Sequence, residues 1–142
     1  MKHIIIGGNG FVGQQLAANL VKDGRQVVVA DIEEKQTPHA SQVEFVRIDV
    51  TSRASLDRIA VTPDDVVYNL SAKMLSPIMP RAKRRDFFWP VNYHGVANIL
   101  DWMDKANAHR LVHFTTDMIY GHTHEVPTRE VAPAKPPGEY GQ

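Results

Sequence analysis

A glycine-rich turn between an apolar run and a helical pattern constrains this chain more than any other feature. The turn is the heptapeptide GGNGFVG, residues 7–13, and it directly follows an apolar run at residues 4–6. Val12, Leu16 and Leu20 then recur at helical spacing, so the pattern predicts a strand, a tight turn and a helix. Glycines let the backbone bend sharply and let the helix pack against the strand. The N–H groups that open such a helix can bind an anion such as a diphosphate.

The composition favours one globular domain and disfavours several classes of partner. A length of 142 residues with 43% hydrophobic content supports a single core. The formal net charge is zero, which disfavours nucleic acid and anionic membranes as partners. The absence of cysteine excludes disulfides and thiolate sites, and it fits a cytoplasmic location. Because no apolar run reaches membrane-spanning length, we expect neither an anchor nor a signal peptide.

Strand-like and helix-like segments alternate along the chain. Five strands are predicted, at residues 4–6, 26–30, 43–48, 66–70 and 110–115. Helices are predicted at residues 11–23, at 51–60, and from Phe87 or Asn92 to Ala106. The inward stripe predicted for the last helix consists of Val96, Ile99, Leu100 and Met103. Apolar strands separated by helices indicate a parallel sheet covered on both faces, with right-handed crossovers.

An acidic residue follows the second predicted strand at the spacing expected for a ribose ligand. Asp31 lies 18 residues after Gly13, at the carboxyl end of that strand. A carboxylate there can accept hydrogen bonds from both hydroxyls of an adenosine ribose, while its charge repels a 2′-phosphate. The pattern therefore favours NAD over NADP as the cofactor. Lys35 lies nearby and is able to neutralise a phosphate, which leaves NADP open.

Six motifs, taken in order, resemble one known family. They are the glycine turn, Asp31, the triplet Ile48-Asp49-Val50, NLSA at residues 69–72, VNYHGVANIL at 91–100 and TTDMIYG at 115–121. This order resembles the extended short-chain dehydrogenase/reductase family, and more narrowly its NAD-dependent nucleotide-sugar epimerases and dehydratases. The resemblance covers essentially the whole chain. It implies a Rossmann-type, doubly wound parallel α/β sheet, with residues 1–142 forming an NAD-binding domain.

The resemblance also implies cofactor-binding positions at the carboxyl edge of the sheet. Asp49 and Val50 would hold the adenine edge, and the small residues after the fourth strand would lie beneath the diphosphate and the nicotinamide ribose. Asn92 would lie near the active site, although capping a helix is an alternative role for it. The implied NAD-binding residues are Gly7, Asn9, Gly10, Phe11, Val12, Gly13, Asp31, Ile32, Asp49, Val50, Leu70, Ser71, Ala72 and Asn92.

The catalytic residues implied by the resemblance are Thr116, Tyr140 and Asp117. Thr116 matches the Ser/Thr whose hydroxyl bonds the reacting sugar oxygen during hydride exchange with the nicotinamide ring. Tyr140, 24 residues later, matches the proton-transferring tyrosine. Dehydratases carry an acid pair after the threonine, but here Met118 follows Asp117. Because a thioether transfers no proton, 4,6-dehydration is disfavoured, and epimerisation, dehydrogenation and reduction stay open.

The lysine of the family's Tyr-x-x-x-Lys motif would fall two residues beyond Gln142. In the family this lysine holds the nicotinamide ribose and activates the tyrosine, so we expect the chain alone to be inactive. We therefore expect the sequence to be the N-terminal part of a longer enzyme, with the C-terminal part that binds the nucleotide sugar missing. The fifth strand would then be an exposed edge, which favours a homodimer.

The alternative is a non-catalytic dinucleotide-binding sensor or regulatory module that works through a partner. A short chain without the lysine is the sequence expected for such a module. A Ser-Lys pair directly after Gln142 would favour the enzyme instead.

Two other clusters carry little functional weight. His122, His124 and Glu125 have a spacing compatible with metal ligation, but no further His or Cys cluster supports it, and we expect no metal. The basic residues Arg81, Lys83, Arg84 and Arg85 either meet an acidic substrate or form the solvated flank of a helix.

Overall fold

The computed structural model describes residues 1–74, 80, 83–122, 125–138 and 140–141. Its strands are β1 (Lys2–Ile6), β2 (Gln26–Asp31), β3 (Glu44–Arg47), β4 (Val66–Asn69) and β5 (Leu111–His113). Its α-helices are α1 (Phe11–Lys22), α2 (Arg53–Leu56), α3 (Arg84–Trp89) and α4 (Val96–Lys105), and a π-helical segment, Pro90–Gly95, joins α3 to α4. Within these residues, no helix has the length and apolar character needed to cross a bilayer.

The described strands form one parallel sheet in the order β3-β2-β1-β4-β5. At the end of β1, Ile6 lies opposite Ala30 of β2 and Asn69 of β4. Strands β2 and β3 lie on one side of β1, and strands β4 and β5 lie on the other. A sheet wound in both directions opens a crevice at the carboxyl ends of the strands where the order reverses. The predicted class, a doubly wound parallel α/β sheet, is confirmed.

Each face of the sheet buries its own apolar cluster, which explains why β1 and β2 are apolar along most of their length. On one face, Ala17 of α1 packs with Ile5 and Val29. On the other face, α2 and α4 contribute Leu56, Ile99, Trp102 and Met103 to a cluster with Ile4 and Ile6. The two clusters fix α1 and α4 on opposite faces of the sheet. Because the strands are parallel, the loops that follow their carboxyl ends meet at one edge.

The helical segment before β5 differs from the predicted helix at its start and on its buried face. It begins at Arg84, ahead of the predicted Phe87 or Asn92, and continues through Pro90. Proline has no N–H to donate to the preceding turn, which accounts for the π-helical geometry there. Leu100, predicted to face the core, is 48% exposed, whereas Trp102 is 7% exposed. The helix is rotated so that the larger apolar side chain is buried.

Asp65, in the turn before β4, links that turn to β1. Its carboxylate accepts hydrogen bonds from Lys2 N–H at 2.6 Å and from Thr62 N–H and Oγ1 at 2.9 Å each. Burial raises the pKa of the Asp65 carboxyl, but these hydrogen bonds and the Lys2 ammonium outweigh burial and hold the pKa below its ordinary value. The stabilisation is therefore present at neutral pH and is lost as the pH falls through the folded-state pKa.

We expect Asp65→Ala to lower the free energy of unfolding by about 2 to 3 kcal/mol at pH 7, because the N–H groups of Lys2 and Thr62 lose their acceptor. Urea denaturation of both proteins at pH values from 7 downward measures the difference. It should shrink as the pH falls below about 4, where the carboxylate of the unfolded chain becomes protonated. A difference that does not change with pH would rule out the carboxylate charge as its cause.

Candidate active site

The glycine turn leads from β1 into α1 at the point where the strand order reverses. Gly7 has a φ of +78°, and its N–H donates to the Ala30 carbonyl at 2.8 Å. The Gly10 N–H closes the turn on the Gly7 carbonyl at 3.1 Å. A Cβ on Gly7 would lie 2.8 Å from the Leu70 carbonyl carbon, and a Cβ on Gly13 would lie 2.6 Å from the Gly7 oxygen. The backbone thus fills the space that side chains would need, so these positions require glycine.

The N-terminus of α1 opens at this turn with its amides available to a ligand. Gly10 is the N-cap, no side chain of the described residues caps it, and the first turn of α1 holds no acidic residue. The first bond within the helix runs from Gln14 N–H to the Gly10 carbonyl at 3.0 Å, so the N–H groups of residues 11–13 precede the helical ladder. Phe11 is 90% exposed and Val12 is 48% exposed. Uncapped amides at the positive end of a helix fit a diphosphate.

Asp31 holds the glycine turn through Asn9. Its Oδ2 accepts from the Asn9 N–H at 2.9 Å, and its Oδ1 accepts from the Glu33 N–H at 3.3 Å. Asn9 is 5% exposed, and its Nδ2 donates to the Glu33 carbonyl at 2.6 Å. Each carboxylate oxygen keeps acceptor capacity for a ribose hydroxyl. Ile32, the next residue, is exposed beside it.

Asp49 and Val50, the predicted adenine contacts, follow β3. Asp49 Oδ1 accepts from Thr51 N–H at 2.9 Å and from Thr51 Oγ1 at 2.8 Å, which closes a local turn. Val50 is buried, and its carbonyl accepts from Asn98 Nδ2 at 2.9 Å. The segment after β3 is therefore fixed both locally and by α4.

A cleft of about 720 Å³ opens at the carboxyl edge of the sheet. It brings together the glycine turn, the loop after β4, the π-helical segment, the loop after β5 and the last described residues. The predicted residues that line it are Gly7, Gly10, Phe11, Val12, Gly13, Leu70, Ser71, Ala72, Asn92, Thr116 and Tyr140. Its lining does not include Asn9, Asp31, Ile32, Asp49, Val50 or Asp117. The cleft thus joins the glycine turn to the predicted catalytic pair.

Asn69, at the end of β4, organises the floor of this cleft, and its side chain was not singled out by the motifs. It is 1% exposed, and its Oδ1 accepts from Ser71 N–H at 3.1 Å and from Ser71 Oγ at 2.6 Å. Its Nδ2 lies 3.2 Å from His113 Nδ1, and because an amide NH2 group can only donate, His113 Nδ1 is the acceptor. Desolvation lowers the pKa of the His113 imidazole, which fits a neutral ring with its proton on Nε2.

Asn92 joins the π-helical segment to the loop after β4. Its Oδ1 accepts from Lys73 N–H at 2.7 Å, and its Nδ2 donates to the Lys73 carbonyl at 3.0 Å. Because Asn92 lies inside a continuous helical segment, the alternative role of helix cap is wrong. Its paired hydrogen bonds instead fix the backbone directly after Ser71 and Ala72.

Thr116 and Tyr140 reach the cleft from the loop after β5 and from the end of the described chain. Thr116 Oγ1 accepts from Met118 N–H at 3.2 Å and donates to Asp117 Oδ1 at 3.3 Å. The Tyr140 ring packs against Phe88, with the ring centroids 5.4 Å apart. Asp117 is exposed, so the structure places two of the three predicted catalytic residues in the cleft and the third beside it.

The structure describes only part of the histidine cluster at residues 122–125 and of the basic cluster at residues 81–85. His124 and Arg81 lie outside the described residues. Among those that are described, no group of three or more His, Asp or Glu side chains is placed to hold a metal. Arg85 lies over the Trp89 ring, 4.0 Å from its centroid.

Comparison with known proteins identifies the family to which this site belongs. A family model described as the NAD dependent epimerase/dehydratase family matches residues 3–142. The chain belongs to this family. The glycine turn and the cleft described above are therefore compared with those of the NAD-dependent epimerase/dehydratase family.

The relatives of the chain within the family include named epimerases. The UDP-glucose 4-epimerase of Lactobacillus helveticus is 29% identical over 147 residues, which cover 100% of this chain and 43% of that protein. The UDP-glucose 4-epimerase of Streptomyces lividans is 27% identical over 147 residues, with 99% and 43% covered. A short-chain dehydrogenase/reductase superfamily protein from Agrobacterium tumefaciens, solved with bound NAD, matches with a TM-score of 0.81 at 26% identity, covering 99% of this chain and 41% of that one. The chain spans less than half the length of these relatives.

Proposed function

We propose that this chain binds NAD at its glycine turn and carries the proton-handling pair of an epimerase or dehydrogenase that acts on a nucleotide sugar. The observation that carries the proposal is the cleft, which joins an uncapped helix N-terminus to Thr116 and Tyr140. Membership of an NAD-dependent family supports the cofactor. Two relatives named UDP-glucose 4-epimerase support the substrate class.

The cofactor, when bound, supplies a hydride acceptor at its nicotinamide ring. The amides of residues 11–13 would hold the diphosphate, and the Asp31 carboxylate would accept the hydroxyls of the adenosine ribose. Ser71 and Ala72 are small and line the cleft beside the glycine turn, so they leave room for the nicotinamide ribose. Asn69 holds Ser71 by hydrogen bonds, and Asn92 holds the Lys73 backbone directly after Ala72.

Thr116 and Tyr140 would handle the proton. The Thr116 hydroxyl is oriented by Met118 and Asp117, and in the proposed complex it would bond the reacting sugar oxygen. The Tyr140 side chain, as its phenolate, would take the proton of the sugar hydroxyl as hydride leaves the carbon that carries this hydroxyl. The phenol formed in this way would return the proton in the reverse step. Met118 provides no second acid, so the arrangement favours epimerisation or dehydrogenation over elimination of water.

Calorimetric titration of the chain with NAD and with NADP tests the cofactor assignment. We expect NAD to bind about tenfold more tightly, because the Asp31 carboxylate accepts both ribose hydroxyls and repels a 2′-phosphate. Tighter binding of NADP would contradict the role given to Asp31. If neither dinucleotide bound, the proposal that this chain forms the site would be wrong.

A further inference from the structure

Lys35 contacts the glycine turn through the same buried residue as Asp31. Its Nζ donates to the Asn9 carbonyl at 3.2 Å, while Asp31 Oδ2 accepts from the Asn9 N–H at 2.9 Å. Asn9 is 5% exposed and lies between Gly7 and Gly10. The anion Asp31, at the end of β2, and the cation Lys35, in the segment that follows, are therefore attached to one residue of the turn.

The contact with the Asn9 carbonyl does not require the positive charge of Lys35, since a neutral donor would satisfy it. Gln14 Nε2 donates to the same Asn9 oxygen at 2.8 Å, so the carbonyl already has a neutral donor. In the part of the chain that the structure describes, ion pairs join Lys2 to Asp65 and Arg53 to Asp101, and Lys35 belongs to neither. An ammonium beside an uncapped helix N-terminus adds to the positive potential of that place.

We propose that Lys35 is a phosphate ligand of the dinucleotide and that it holds the diphosphate. The inference rests on the proposed function, since it requires a dinucleotide at the glycine turn. An ammonium on a flexible stem can exchange a 3.2 Å contact with a carbonyl for a stronger, charge-assisted hydrogen bond to a phosphate oxygen. The contact with Asn9 attaches the ammonium to the turn that would hold the diphosphate, which is the group that NAD and NADP share.

The test is calorimetric titration of the wild-type chain and of Lys35→Gln with NAD, NADP, ADP and adenosine. We expect the variant to bind NAD, NADP and ADP about tenfold more weakly and adenosine with unchanged affinity, because adenosine carries no phosphate. The loss should diminish at high salt, which screens an exposed lysine. Gln14 still satisfies the Asn9 carbonyl, so the melting temperature should stay the same.

Lys105→Gln, at the end of α4, is the matched control and should leave every affinity unchanged. A loss confined to NADP would assign Lys35 to the 2′-phosphate and overturn the proposal. Equal affinities for wild type and variant would overturn it as well. If the wild-type chain bound neither dinucleotide nor ADP, the proposed function would fail together with this inference, a result that is distinct from binding without a Lys35 effect.

Discussion

Replacing Gly13 by alanine is expected to lower the free energy of unfolding by about 3 kcal/mol and to remove dinucleotide binding. A Cβ at this position would lie 2.6 Å from both the Gly7 oxygen and the Gly8 Cα. Both neighbours are backbone atoms, so the clash is relieved only if α1 moves away from the turn. The loss is expected although alanine favours a helix over glycine by about 1 kcal/mol.

Gly138→Ala is the matched control for this substitution. No described atom lies within 4 Å of a Cβ built on Gly138, so the change should be neutral or should stabilise the chain by up to about 1 kcal/mol. Urea denaturation and NAD titration of both variants give the comparison. Equal stability of the two variants would contradict the close packing of α1 on the glycine turn.

Strands β1 and β2 and helix α1 could be predicted because their apolar positions in the sequence coincide with the elements that the structure forms. The predicted strands at residues 4–6 and 26–30 and the predicted helix at 11–23 match β1, β2 and α1 to within two residues. Strands β1 and β2 lie centrally in the sheet and are buried on both faces, so a continuous apolar run coincides with the paired run.

Where a residue is buried but lies outside the strand or helix, the predicted element is too long. The third strand was predicted to reach Ile48 and ends at Arg47, although Ile48 is buried. The helix predicted at 51–60 ends at Leu56, and Ile59 reaches the core from a turn. An apolar residue indicates that a position is buried, but it does not say whether a ladder or a helix holds it there.

The residue types of the site were predictable, but the contacts that hold them were not. Glycine at the turn, an acid at the end of β2 and a hydroxyl after β5 are the residue types that the proposed ligand chemistry requires, so the motifs predict Asp31 and Thr116. The bond between Asn69 and His113 joins residues 44 apart, and the bond between Lys35 and Asn9 joins residues 26 apart. A local pattern carries no information about such contacts, because they depend on how strands are ordered in the sheet.

Asp31→Asn and Asp31→Ala are expected to separate the two roles of this carboxylate. The asparagine carbonyl can still accept from the Asn9 N–H, so Asp31→Asn should keep the stability of the chain within about 1 kcal/mol. It removes the negative charge and one ribose acceptor, so NAD affinity should fall about tenfold while NADP affinity rises. The ratio of the two affinities, measured by calorimetry, is the direct readout.

Asp31→Ala removes the ribose contact and the acceptor of the buried Asn9 N–H together. We expect a loss of about 1 to 3 kcal/mol in the free energy of unfolding and a fall in NAD affinity of about a hundredfold, because the glycine turn is no longer held open for the diphosphate. Urea denaturation separates the two effects. An unchanged NAD-to-NADP ratio in Asp31→Asn would show that the carboxylate does not face the ribose, and equal stability of both variants would show that its bond to Asn9 contributes nothing to the turn.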